Sequence, residues 1–104
     1  MEIHVWQDGV TTLQERDDFR AFKVVSHGFA TTAELRERLE ALGRADDDGA
    51  HVFVSVSWLA NHAGDVPDPE DWQRRLREMR ALAARHGWVD SAGLIRAHVE
   101  RAGD

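Results

Sequence analysis

The segment that most limits the fold is residues 68–87. Asp68 supplies an N-cap oxygen, Pro69 suits the first helical position, and Glu70 and Asp71 place carboxylates at the positive end of the helix dipole. Trp72, Leu76, Met79, Ala83 and His86 then recur at steps of four, three, four and three, and Gly87 ends the run. The spacing predicts an amphipathic helix with one apolar stripe. Residues 31–43 predict a second. Thr31 and Glu34 fit a capping box, Leu35, Leu39 and Leu42 line one side, and Gly43 falls where a left-handed residue is wanted. A helix with one stripe covers a neighbour from one side only, so the rest of the chain must supply a surface for both helices.

That surface reads as strands. Residues 2–7 alternate, with Ile3 and Val5 opposite His4 and Trp6, and Asp8-Gly9 suits a two-residue hairpin leading to a return strand at 10–14. Residues 19–26 form another β-rich run. The clearest alternation is 51–58, with Val52, Val54, Val56 and Trp58 on one side and His51, Phe53, Ser55 and Ser57 on the other. For 94–100, Ile95, Ala97 and Val99 alternate with Arg96, His98 and Glu100, so a strand is preferred. Ile95, Val99 and Ala102 also fit a helix that Ser91 could cap.

With no repeat, linker or low-complexity tract, residues 1–104 read as a single domain. The expected architecture is a two-layer α/β (α+β) sandwich: a mixed sheet of four or five strands with two helices packed on one face. Ile3, Val5, Val52, Val54, Val56, Trp58, Ile95, Ala97 and Val99 would face the helices. The opposite face would then show His4, Trp6, Phe53, Ser55, Ser57, Arg96 and His98, with no element left to cover it. One alternative stays open. A two-residue turn would set Trp6 opposite Thr11 and His4 opposite Leu13, which would let that side of the hairpin be the buried one.

Two functions compete for the open face. It can act as a binding and assembly surface, toward a second copy of the chain or a protein partner, because aromatics rimmed by polar groups mark interaction sites. It can instead line a small-molecule pocket in which His98 or His4 is the acid–base group and Arg96 holds an anion. Other classes are disfavoured. Nineteen acidic against 13 basic residues give a net charge of −6, unsuited to a nucleic-acid partner. The absence of cysteine removes disulfides and thiolate sites. No apolar run is long enough to span a membrane, and the first residues lack a basic secretory leader, so a cytoplasmic location is expected. Of the 13 basic residues, Lys23 alone is lysine, which reads as coding bias.

The six histidines show no HxH, HxxxH or HExxH pair, so neither metal nor cofactor is expected. His62 reads as a loop residue that a nearby carboxylate could orient, and His86 as a partner for a helix C-terminus. His27 precedes Gly28 at a strand end with nothing further to support a role. Asp46-Asp47-Asp48-Gly49 lacks the alternating oxygen donors of a calcium loop and reads as a solvated turn. No serine sits in a nucleophile elbow, and no glycine-rich phosphate loop precedes either helix.

Overall fold

The structure is a computed structural model that describes residues 1–102. It is a mixed α+β fold with six strands and three helices. In chain order these are β1 (Glu2–Trp6), β2 (Thr11–Gln14), β3 (Lys23–His27), α1 (Thr32–Leu39), a 3₁₀ turn (Glu40–Leu42), β4 (Gly43–Ala45), β5 (His51–Val54), α2 (Val56–His62), α3 (Pro69–Arg85) and β6 (Ile95–Arg101). The strand order is β2-β1-β3-β6-β5-β4. The pairs β1–β3 and β3–β6 are parallel, whereas β1–β2, β5–β6 and β4–β5 are antiparallel. The mixed sheet is as expected, but it has more strands and one more helix than the sequence pattern predicts.

Ile3, Val5, Val24, Val52, Val54 and Ala97 from the sheet pack in one cluster with Leu39 of α1, Leu59 of α2, and Trp72 and Leu76 of α3. The helices therefore share the face chosen by strand parity. The α3 N-terminus follows the sequence signal: Asp68 accepts the Asp71 amide, and Pro69 opens the helix. At α1, Thr31 Oγ1 accepts the Glu34 amide at 3.1 Å.

Four expectations are corrected. The strand expected over 51–58 stops at Val54, because Ser55 becomes the N-cap of α2 and accepts the Trp58 amide. Val56, Leu59 and Ala63 stand at helical spacing, and once a cap is available this periodicity wins over alternation. Val56 and Trp58 therefore reach the core from a helix, not from the sheet. The run at 19–26 pairs only from Lys23 onward, while Phe19 and Phe22 pack against the core from outside any strand. Gly43 is not a left-handed helix terminator. It begins β4, and a side chain there would collide with the Phe53 carbonyl.

The hairpin question is settled by register. Ile3 pairs with Leu13 and His4 with Thr12, so Leu13 joins the core side and His4 stays on the open side. The loop between β1 and β2 holds four residues: the Trp6 amide donates to Val10 O, and Gly9, at φ 107°, donates back to Trp6 O. The strand reading of 94–100 is correct, as β6.

Candidate functional site

Strand parity places two groups of polar side chains on the open face, joined by β3. On β1, Glu2, His4 and Trp6 point the same way; on β3, Lys23, Val25 and His27 lie beside them in parallel register. On β6, Arg96, His98 and Glu100 continue the face, and Arg96 pairs with Phe53 and His98 with His51 across the β5–β6 ladder. Five of the seven predicted site residues are thus brought to one face: His4, Trp6, Phe53, Arg96 and His98. Ser55 and Ser57 are not. Ser55 is committed to capping α2, and Ser57 is exposed on that helix.

The β1–β3 half is a stack of rings. Trp6 and His27 lie 4.4 Å apart and 9° from parallel, and His4 stacks on both. His4 Nδ1 is 2.8 Å from His27 Nε2, and His4 Nε2 is 2.9 Å from Glu2 Oε1. His27 loses proton affinity, chiefly because its charged form is desolvated and secondarily because His4 stands beside it. Local sequence gives His27 no role beyond a strand end before Gly28. The missing information was pairing: only the parallel β1–β3 register sets His27 next to Trp6.

The β6 half is an ionic network. Glu100 accepts from His98 Nε2 at 2.9 Å and from Lys23 Nζ at 3.0 Å. Those two donors, His98 first, hold its carboxyl below the usual range. Arg96 Nη2 donates to His51 Nε2 at 3.2 Å, and Arg44 lies 4.2 Å over the Phe53 ring.

A cavity of about 590 Å³ opens at one end of this network. The β3–β6 pairing begins at Lys23 opposite His98, so Ile95 and Arg96 run past the start of β3. The chain at 19–23 and the Met79–Ala83 stretch of α3 close the space. Its wall includes Phe19, Phe22, Met79 and Trp88, and its polar groups include Arg96, His98, His51, Lys23 and Glu2. Leu82 and Trp88 at this cavity are 55% and 46% exposed, so two large apolar side chains meet water beside a charged rim. Apolar walls with a few convergent polar groups are what small-molecule sites share.

The remaining histidines are otherwise engaged. His62 lies in α2, where its Nδ1 donates to the Trp58 carbonyl and its ring stacks on Trp58 at 3.9 Å; it is not a loop residue turned by a carboxylate. His86 forms the C-cap of α3 and stacks on Trp88. Asp46, Asp48 and His51 do bring one ligand-type atom each to within 4.8 Å of one another. However, Asp48 Oδ1 accepts the Ala50 amide, and His51 Nε2 accepts from the Arg96 guanidinium, whose charge opposes a cation there.

Comparisons with protein-family models, curated proteins and solved structures find no match to this chain. Among residues 1–102, no helix is long and apolar enough to cross a membrane.

Proposed function

We propose that this domain binds a small amphipathic anion in the cavity beside β6 and performs acid–base chemistry on it. The observation that carries the reading is the meeting of Arg96 and His98 in one concave space with an apolar wall. Arg96 spends one N–H on His51, which leaves the rest of its fork to a carboxylate or phosphate. The ligand's apolar part would rest on Trp88, Leu82 and Met79. His98, held by Glu100, lines the same cavity with one ring nitrogen uncommitted and would exchange the proton.

Thermal denaturation with benzoate, indole-3-acetate, hexanoate and inorganic phosphate tests this. A ligand that binds only the native state at 100 times its Kd stabilises by about 2.7 kcal/mol, and Arg96→Gln should abolish the shift. No shift with any of the four at millimolar concentration would overturn the reading.

A second reading, association of two copies through the open face, draws support from the partly exposed His4–Trp6–His27 stack on that face. It ranks lower because Lys23, Glu100, His98 and Arg96 occupy the rest of that face, where a contiguous apolar patch would be expected. Sedimentation velocity at micromolar concentration separates the two: a dimer dissociated by Trp6→Ser supports association, and a monomer removes it.

A further inference from the structure

Glu2, His4 and His27 are linked by two hydrogen bonds that fix one another's protons. An ionised carboxylate can only accept, so His4 Nε2 must carry the hydrogen at 2.9 Å from Glu2 Oε1. His4 Nδ1 is then a lone pair, and the bond at 2.8 Å requires His27 Nε2 to be the donor. That leaves His27 Nδ1 as the free basic nitrogen, with no hydrogen-bond partner among residues 1–102. We propose that these three side chains form a proton relay in which the two imidazoles bind one proton as a unit, with His27 Nδ1 at the open end and Glu2 in the cavity at the other.

The transfers balance. A proton added at His27 Nδ1 allows the His27 Nε2–H bond to break as a bond to His4 Nδ1 forms. His27 is again neutral, in its other tautomer, and the charge now sits on His4 against the Glu2 carboxylate. The resting charged form is this imidazolium–carboxylate pair, since imidazole is the stronger base. In a further step the His4 Nε2 proton passes to Glu2 Oε1, which leaves both rings neutral and the acid in the cavity lining. No oxidant, metal or co-reactant is needed.

The surroundings favour a single proton. Two imidazolium ions in direct contact repel each other, and His27 already loses affinity through desolvation and through His4. The charged groups of the neighbouring strands are Lys23 on β3, which lies near Glu2, and Glu100 and His98 on β6 beyond it. Lys23 is neutralised by Glu100 at 3.0 Å. From β2, the same face receives only Thr12 and Gln14, which carry no charge. Among residues 1–102, Glu2 is therefore the one carboxylate bonded to the pair. Trp6, parallel to His27, keeps the ring in register and stacks with it in either charge state.

Use of the relay on a bound molecule rests on the cavity reading, but the relay itself stands on side-chain geometry and can be tested without a ligand. The test is ring-nitrogen NMR of the full chain from about pH 4 to 9, with each histidine assigned through its Gln variant. Above pH 7, His4 and His27 should both be Nε2–H tautomers. One proton should then enter with a shared midpoint on both rings, and a second only at clearly lower pH. Glu2→Gln should release the fixed His4 tautomer, because an amide can donate to His4 Nε2 as well as accept from it. His27→Gln should leave His4 titrating alone at single-site slope. Two independent single-site curves, with the His4 tautomer unmoved by Glu2→Gln, would overturn the relay. An intact relay in a protein that binds none of the anions would instead refute only the cavity reading.

Discussion

Gly43 and Phe53 are in backbone contact across the β4–β5 ladder, so close that a Cβ on Gly43 would overlap the Phe53 carbonyl oxygen. The position that a Cβ would occupy is already filled by the Phe53 backbone, so the space itself excludes a side chain. Gly43→Ala must therefore push β4 away from β5. It should cost about 2–3 kcal/mol, within the usual range for overpacking, or roughly 10–20 °C in Tm for a domain of this size. Gly87→Ala is the control, because Gly87 has φ 77° and nothing within 4 Å. Its penalty should be conformational only, about 1–2 kcal/mol. Thermal unfolding followed by circular dichroism checks both, and equal losses would show that the Phe53 contact yields.

What the sequence revealed follows from how local each signal is. Asp68, Pro69 and the stripe from Trp72 to Ala83 lie within one helix, and they predicted α3 well. The inward parity of Ile3, Val5, Val52, Val54 and Ala97 was legible for the same reason. Strand β4 is three residues long and has no periodicity to read. At Ser55, two local signals competed: alternation from Val52 through Trp58, and a cap followed by Val56, Leu59 and Ala63. The open-face site was half legible. His4, Trp6, Arg96 and His98 follow from parity, but His27 enters through parallel pairing with Trp6, and the cavity through the offset between β3 and β6. Both are long-range facts that no window of sequence contains.

The change of direction at Ser55 predicts unequal outcomes for two nearby serines. Ser55→Ala removes the α2 cap, a bond of 3.4 Å to the Trp58 amide, and should cost about 0.5–1 kcal/mol. Ser57→Ala lies on the exposed side of α2 and should stay within about 0.5 kcal/mol of the parent. Denaturant midpoints at constant slope measure both. Equal sensitivity of the two positions would return this segment to a strand.

Asp90 makes part of the stability acid-sensitive. Its Oδ1 accepts the amides of Ala92 and Leu94, at 3.0 and 2.9 Å, and its Oδ2 accepts from Arg44 at 3.2 Å. The Leu94 amide is the largest influence holding the carboxyl below its ordinary value, ahead of Arg44 and Ala92 and against an opposing desolvation. A depressed native value means the unfolded chain binds the proton first. The contribution is therefore full above about pH 4 and is lost as pH falls through the native value. Asp90→Asn keeps an acceptor for both amides, so it should flatten the acid limb of the stability curve with little loss at pH 7. Asp90→Ala should destabilise at both pH values. Urea unfolding at pH 3 and pH 7 distinguishes them.

Glu100 predicts sensitivity on both sides of neutrality from one side chain. Its own carboxyl is depressed, first by the His98 hydrogen bond and then by Lys23, so its share of stability is lost as pH falls below about 4. Lys23 is shifted the other way, raised chiefly by the hydrogen bond to Glu100. Its share is present below the ordinary lysine value near 10.4 and disappears as pH rises through the native one. Glu100→Gln removes both partners' gains together, so the acid and alkaline limbs should flatten in the same variant. Both groups meet solvent, so the difference from the parent should shrink when salt is raised from about 0.05 to 0.5 M. A variant that altered only the acid limb would show that Lys23 is held by something other than Glu100.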